Sequence, residues 1–204
     1  DCKGINGYGF EWYGHEHFFM ATAQFGWDTW KLTKDEYLAV SSRHLFGEEN
    51  GARYEYIIRT LPCIHETQIC DSLPSFPFMP NKYVGEEGRR YLEDCADAVD
   101  YVLDALQAIL QTKDLTKIQK ESAKATWIMA RRMKEVIWAG IYFNRYLDEL
   151  NSGRNNLSIL RELALKALHH AEEDYRLIKE NYFDSKEHVW TGVAIGEYYI
   201  PMVI

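Results

Sequence analysis

The chain has 204 residues, of which 47% are hydrophobic and 26% are charged, and its formal net charge is -8 at pH 7. This length supports one well-packed core, or one domain with part of another. The acidic balance and the lack of a long Lys/Arg run argue against a nucleic-acid binder, and no apolar run approaches the roughly 18 residues of a membrane-spanning helix. The tightest basic cluster, Arg131, Arg132 and Lys134, is interpreted as the solvated face of a helix.

The first elements along the chain are a short strand and a helix. Residues 4–12 are aromatic and Gly-rich, and residues 10–13 are typical of a strand end that turns into a loop. A short, largely apolar helix is expected from His17 to Trp27. This order is typical of a β/α unit, in which functional residues follow the end of the strand.

Two further helices are expected before the middle of the chain. Thr33 and Glu36 have the spacing of a capping box, which predicts a helix that ends at Gly47. The next helix is expected over residues 51–61, with Tyr54, Ile57, Ile58 and Leu61 on one apolar side. The Pro-rich residues 71–84 are expected to form an ordered loop with aromatic anchors.

Residues 86–183 are expected to form three long helices, because apolar residues recur there three and four positions apart. The three apolar stripes are Leu92, Cys95, Val99, Val102, Leu106 and Ile109; then Met129, Met133, Val136, Gly140, Phe143, Leu147 and Leu150; then Leu160, Ala164, Leu168, Ala171, Tyr175, Ile178 and Tyr182. Thr116 with Gln119 is expected to cap the second helix, Gly153 to end it, and Asn155 or Asn156 to cap the third. Stripes of similar length with short links favour an antiparallel bundle.

The composition changes again at the end of the chain, where residues 189–193 and 198–204 are typical of strands. The predicted fold class is therefore mainly α: an antiparallel helical bundle with three long helices, preceded by a short β/α segment and followed by a short β-like tail. The predicted domains are residues 1–32, 33–184 and 185–204. Because the chain starts without Met and ends on apolar residues, we expect a fragment of a longer protein.

The densest group of polar and aromatic side chains lies at residues 11–17. Trp12 and Tyr13 offer flat apolar faces that stack on sugar rings or other planar ligands. Glu11 and Glu16 can hydrogen-bond hydroxyl groups or take part in acid–base chemistry. The alternative interpretation is that the aromatic residues belong to the core and that both carboxylates are solvated.

Metal ligation is the weaker interpretation of the same residues. On a strand His15 and His17 would point to one face and could chelate an ion, but no companion Cys/His set is evident. His169 and His170 lack the Glu-x-x-His spacing of a di-iron bundle and are interpreted as a half-exposed pair with satisfied hydrogen bonds. We predict neither a metal nor a cofactor.

The four cysteines do not predict a disulfide framework. Cys63 and Cys70 would lie about 10 Å apart on a continuous helix, which is too far for a disulfide unless the chain bends between them. Cys95 lies in an apolar stripe and is predicted to be a small buried hydrophobe.

Several motifs over about residues 7–60 resemble the end of a glycoside hydrolase barrel and the start of its appended helical domain. They are Glu11-Trp12, the stretch Phe18-Phe19-Met20-Ala21-Thr22-Ala23-Gln24-Phe25-Gly26-Trp27-Asp28, then Leu32-Thr33-Lys34-Asp35-Glu36, and His44-Leu45-Phe46-Gly47-Glu48-Glu49. The similarity is to the last strand and last helix of hexosaminidase-like and glucuronidase-like (β/α)8 barrels.

The resemblance implies the C-terminal helical portion of a carbohydrate-active enzyme, with Glu11, Trp12 and Tyr13 as sugar contacts. The catalytic carboxylates of such barrels lie on earlier strands, so no catalytic residue is assigned in this chain. The implied partners are a carbohydrate and the N-terminal barrel of the same protein, with neither nucleic acid nor membrane. Two alternatives stay open: a non-enzymatic helical interaction module that docks by its aromatic N-terminus and, more weakly, a metal-binding helical bundle.

Overall fold

A computed structural model describes residues 16–27, 32–65, 85–154 and 156–183. These ranges contain five α-helices: α1 Glu16–Trp27, α2 Lys34–His65, α3 Gly85–Leu110, α4 Lys117–Asn151 and α5 Leu157–Ile178, after which Lys179–Phe183 forms a π-helical turn. They contain no strand, so the prediction of a mainly helical chain is confirmed for this part. The predicted strands at residues 10–13 and 185–204 and the loop at 71–84 lie outside the described residues.

Packing divides the chain into two compact units, which are described separately. Of the described residues, the first unit contains α1, α2 as far as Leu61, and Val102–Met129. The second contains residues 62–65, 85–101, 130–154 and 156–183. The predicted domain boundaries after residues 32 and 184 stay predictions.

In the first unit, α2 is a helical hairpin that reverses at Gly47. Gly47 has φ 76° and ψ 178°, a left-handed φ that strains residues carrying a Cβ. The predicted helix end at Gly47 is therefore confirmed, and the chain returns to helix directly after it rather than at residue 51.

The two arms of this hairpin are antiparallel and close together. Arg59 Nη1 donates to Asp35 Oδ1 at 2.5 Å, although the two residues are 24 positions apart in sequence. Nearer the turn, a Cβ added to Gly51 would lie 2.7 Å from Arg43 Cα. At Gly51, therefore, the backbones of the two arms approach each other too closely to leave room for a Cβ.

The helix ends are fixed by local hydrogen bonds, as predicted. Thr33 N donates to Glu36 Oε2 at 2.9 Å and Glu36 N donates to Thr33 Oγ1 at 3.2 Å. The bonds that Thr33 N and Thr33 Oγ1 donate to the Glu36 carboxylate lower the pKa of Glu36. Thr116 and Gln119 form the same reciprocal pair at 2.8 and 3.3 Å. Asn156 Oδ1 accepts from the first turn of α5, and Gly153 has φ 70°.

The core of the first unit lies along the second arm of α2. The four predicted residues are all buried: Tyr54, Ile57, Ile58 and Leu61. The rings of Phe46 and Tyr54 lie 4.3 Å apart between centroids, on opposite arms. Buried Asn50 donates from Nδ2 to Thr112 Oγ1 at 3.0 Å, which joins the hairpin to the loop between α3 and α4.

In the second unit, ion pairs show that neighbouring helices run antiparallel. Between α3 and α4 the pairs are Arg89–Asp148, Glu93–Arg145 at 2.7 Å and Asp100–Lys134 at 2.5 Å. Between α4 and α5 the contacts are the ion pair Arg132–Asp174 at 2.8 Å and the hydrogen bond between Glu135 and His170 at 2.7 Å. In both sets the residue number rises on one helix while it falls on the other.

The apolar stripe predicted for α3 is confirmed in full. All six of its members are buried: Leu92, Cys95, Val99, Val102, Leu106 and Ile109. Cys95 is a free thiol, and its burial raises its pKa, which fits the prediction of a small buried hydrophobe. The stripe predicted for α4 is partly wrong, since Met133 and Gly140 are buried but Met129 and Leu150 are exposed.

The stripe predicted for α5 is wrong over most of its length. Leu160 is buried, but Ala164, Leu168 and Tyr175 are exposed. The side of α5 that faces inward instead carries Leu160, Leu163, Ala167, His170, Asp174 and Leu177. His170 and Asp174 lie on that side because charged residues of α4 receive them, which a pattern of hydrophobicity does not reveal.

We expect Gly51→Ala to destabilise the protein, because the new Cβ would press on the backbone at Arg43 and force the arms of the hairpin apart. Overpacking of this kind costs about 1–3 kcal/mol. Chemical denaturation followed by circular dichroism measures the loss. The control Ala52→Ser alters the exposed neighbouring residue and should stay within about 0.5 kcal/mol of the parent. A Gly51→Ala variant as stable as its parent would contradict the close approach.

Candidate functional site on helices α4 and α5

The residues predicted to contact sugar lie beyond the part of the chain that the structure describes. Glu11, Trp12, Tyr13 and His15 all fall there, so their assignment stays a prediction. Glu16 and His17 begin α1 and are helical. The strand geometry assumed for chelation by alternate residues is therefore wrong at these two positions.

The structure instead brings together ionisable side chains of α4 and α5 in the second unit. We call this group the polar seam: Arg131, Arg132, Glu135, His170 and Asp174. Its two carboxylates are almost fully buried, with relative exposures of 5% for Glu135 and 2% for Asp174. Buried carboxylates require partners, since an unpaired charge in the interior is strongly destabilising.

Both oxygens of the Glu135 carboxylate are engaged. Oε2 lies 2.7 Å from His170 Nδ1, and Oε1 lies 3.2 Å from Arg131 Nη2. Arg131 and Glu135 are four positions apart, so the helix places them on one side of α4. His170 comes from α5, and the predicted satisfied, half-exposed histidine is confirmed at this position.

The ring of His170 is also held by aromatic side chains of α4. It stacks on Tyr142 at 5.6 Å between centroids with an angle of 12°, and on Trp138 at 6.2 Å with an angle of 22°. Lys166 Nζ lies 5.5 Å from the centre of the Tyr142 ring, a cation–π distance. The imidazole is therefore fixed in both position and plane.

The second carboxylate of the polar seam pairs with an arginine. Arg132 Nε donates to Asp174 Oδ1 at 2.8 Å, with side-chain exposures of 23% and 3%. This ion pair compensates the charge of the buried Asp174 carboxylate. A carboxylate exposed to water would not need such a partner. Together with Glu135–His170, this pair fixes both the rotation of α5 against α4 and its position along the helix axis.

The exposed edge of α5 carries a further set of charges. Arg176 bonds to Glu173 at 2.9 Å and to Glu180 at 2.7 Å. The hydrogen bond from Arg176 is the main reason that the pKa of Glu173 is lowered, with smaller contributions from the charges of His169 and Arg131. Reciprocally, Glu173 and Glu180 raise the pKa of Arg176.

The chemistry open to His170 follows from its contacts. In the neutral tautomer that carries its proton on Nδ1, His170 donates a hydrogen bond to Glu135. The unprotonated Nε2 could then act as a base. The described side chains that bond to or stack on His170 are Glu135, Trp138, Tyr142 and His169. Because the contacts of Glu135 with His170 and of Arg132 with Asp174 join the two helices, they support a structural role in which the polar seam holds α5 against α4.

The described ranges contain neither a group of metal-ligand side chains nor a helix suited to cross a membrane. Over residues 16–27, 32–65, 85–154 and 156–183, no three His, Cys, Asp or Glu side chains are grouped as metal ligands would be. Among the helices in these ranges, none has the length and apolar content that crossing a lipid bilayer demands.

The sequence contains one signal for the polar seam. Arg131, Arg132 and Lys134 are predicted to form a solvated helix face, and that prediction is wrong. Each is at least two-thirds buried and paired: Arg131 with Glu135, Arg132 with Asp174 and Lys134 with Asp100. This dense basic cluster within an otherwise acidic chain therefore indicates ion pairs, of which those of Arg132 and Lys134 join two helices.

Comparison with known proteins assigns no family. No protein-family model matches the chain, and no significant match was found among curated proteins or solved structures. A functional proposal therefore rests on the residues of the chain itself.

We expect Glu135→Gln to lower the free energy of unfolding by about 1–3 kcal/mol, because His170 and Arg131 lose a buried charged acceptor while the shape is kept. Urea denaturation measures the change. The matched control is Asp97→Asn, an exposed carboxylate on α3 in the same unit, which should change stability by less than about 0.5 kcal/mol. Equal effects of the two substitutions would show that the polar seam contributes nothing to stability.

Proposed function

We propose that this chain is the C-terminal helical portion of a glycoside hydrolase and follows the barrel of that enzyme. The helices would support the barrel, and the last barrel strand would supply sugar contacts. The arrangement of three long helices as one antiparallel bundle, with a β/α segment before it and a β-like tail after it, is part of the same proposal. The resemblance over about residues 7–60 supports it.

The observation that carries the proposal is the agreement between the resembling motifs and the helix boundaries. The Leu-Thr-x-x-Glu motif coincides with the capping box of Thr33 and Glu36, where α2 begins. The motif around Gly47 coincides with the reversal of the α2 hairpin. The stretch that resembles the last barrel helix corresponds to α1, Glu16–Trp27.

The proposed sugar contacts follow from side-chain chemistry. The indole of Trp12 would stack on the apolar face of a sugar ring, Glu11 would accept hydrogen bonds from hydroxyl groups beside it, and Tyr13 would extend the surface. Hydrolysis additionally needs two carboxyl groups that flank the scissile bond, roughly 5–9 Å apart. We place these on earlier strands of the barrel, so the chain alone should hydrolyse nothing.

In the full-length protein, we expect Trp12→Ala to lower kcat/KM about 10- to 100-fold with little change in melting temperature. Loss of a stacking contact worth about 1–3 kcal/mol accounts for the effect. Steady-state kinetics on a chromogenic glycoside and thermal denaturation are the two measurements. The control Tyr101→Ala removes an aromatic ring that is 67% exposed on α3 and should alter neither quantity.

The opposite pair of results would contradict the sugar contact. If Trp12 belongs to the core, Trp12→Ala should cost about 3–5 kcal/mol of stability and leave the kinetics of the surviving enzyme intact. Measuring both the activity and the stability of the Trp12→Ala variant therefore distinguishes a sugar contact from a core residue.

A second candidate function is a non-enzymatic helical interaction module. It is favoured by exposed apolar residues along one side of α5, which we call the outer face: Leu157, Ala164, Leu165, Leu168 and Tyr175. Leu157, Leu165 and Leu168 are each more than half exposed. A continuous apolar stripe on a surface marks an interaction site, whereas isolated exposed residues do not. The full gene distinguishes the two functions, because the hydrolase requires about 300 or more residues of β/α pattern before Asp1.

A further inference from the structure

The outer face of α5 has an ordered pattern of apolar residues. Leu157, Ala164, Leu168 and Tyr175 recur at intervals of seven and four, so they lie in line along one side of the helix. Leu165 lies beside this line. The polar seam holds the opposite side of α5 against α4, which leaves the outer face without a covering helix among the described elements.

Two charges on the same face lack partners. Arg161 and Glu172 are exposed, and neither has a hydrogen bond or an ion pair with any described residue. Their neighbours on α5 are paired, as Glu162 is with Lys166. Eleven positions of α-helix separate Arg161 from Glu172 by about 16 Å, so they cannot pair with each other.

The four apolar positions in this line are symmetric about the middle of α5, and the two charges are symmetric to within one residue. Leu157 lies nine positions before Lys166 and Tyr175 nine positions after it, while Ala164 and Leu168 lie two positions before and after. Arg161 and Glu172 lie five before and six after. A helix reversed about this centre therefore presents these four apolar residues to one another. It brings each of the two charges within one residue of its opposite, or about 1.5 Å along the axis.

The central lysine does not interrupt the face. Lys166 Nζ bonds to Glu162 Oε1 at 2.6 Å and lies over the ring of Tyr142 on α4. Its charge is thus directed to the flank of α5 that meets α4.

We propose that the outer face binds α5 of a second copy of this chain in an antiparallel, two-fold symmetric pair. Leu168 packs on Ala164 of the partner subunit, Leu157 on Tyr175 of the partner subunit, and Arg161 pairs with Glu172 of the partner subunit. The two-fold axis repeats every contact, as in other isologous interfaces. This inference rests on the proposal that the outer face is an interaction surface, and it holds whether or not the full protein is a hydrolase.

Charge selects the antiparallel orientation. In a parallel pair Arg161 would face Arg161 and Glu172 would face Glu172, and like charges at opposing positions are destabilising. In the antiparallel pair both contacts are between opposite charges. A single pair of helices of about 33 Å buries less area than the interfaces of tight complexes, so we expect a dissociation constant in the micromolar range.

Sedimentation equilibrium of the 204-residue chain at about 1–100 µM tests the proposal, since this range brackets the expected dissociation constant. Arg161→Glu and Glu172→Arg should each weaken the dimer at least about tenfold, because each places like charges at both symmetric contacts. The double variant Arg161→Glu/Glu172→Arg should restore the dimer. Circular dichroism of every variant checks that the helices are intact.

An apolar pair of variants provides the matched control. Leu168→Asp should give a monomer, while Ile118→Asp, at a 60% exposed position on α4, should leave the dimer unchanged. A chain that is monomeric throughout the range, or a dimer indifferent to Arg161→Glu and Leu168→Asp, overturns the proposal.

One further measurement separates the dimer proposal from the more general proposal that the outer face is an interaction surface. If the chain is monomeric but Leu168→Asp weakens its association with the preceding segment of the full-length protein, the outer face is an interaction surface with a different occupant. If Leu168→Asp affects neither association, the outer face is not an interaction surface and both proposals fail.

Discussion

The need of buried carboxylates for partners determines which side of α5 meets α4. Glu135 and Asp174 are nearly inaccessible to water, and their partners His170 and Arg132 lie on the opposite helix. Turning α5 to bury Leu165 and Leu168 would gain roughly 1.5–3 kcal/mol per leucine at most, and both are already partly covered. It would break two interhelical pairs, and removing one partner from a buried pair costs about 3–5 kcal/mol. The electrostatic cost exceeds the apolar gain, so the leucines remain outside.

The central position of α4 follows from the same ion pairs. On one side Lys134 and Arg145 reach Asp100 and Glu93 of α3, and on the other the polar seam reaches α5. A helix that packs on both sides has no single apolar stripe, which is why Met133 is buried while Met129 is not. The α3 stripe, in contrast, is entirely apolar and entirely buried, and hydrophobic packing alone accounts for it.

This difference explains which features could be predicted from the sequence. The capping boxes, the helix ends at Gly47 and Gly153, and the α3 stripe depend on residues close in sequence or on one simple period, and these features agree with the prediction. The rotation of α5 depends on His170 meeting Glu135, 35 positions away in sequence. From the sequence alone, polar residues at such positions are predicted to face solvent, because their partners on another helix are not known. The proposed sugar contacts, Glu11, Trp12 and Tyr13, rest on resemblance and stand apart from the described helices.

The polar seam connects the stability of the second unit to its proposed association. Because the ion pairs occupy the inner side of α5, the leucines and the two free charges are presented together on the outer face. Each feature alone has an ordinary explanation, since single exposed leucines and unpaired surface charges are common. Their near symmetry about the centre of one helix is what distinguishes this face, because an antiparallel copy would pair four of the apolar residues and both charges at once. A hydrolase could carry such a face on its helical portion without involving the residues that contact sugar.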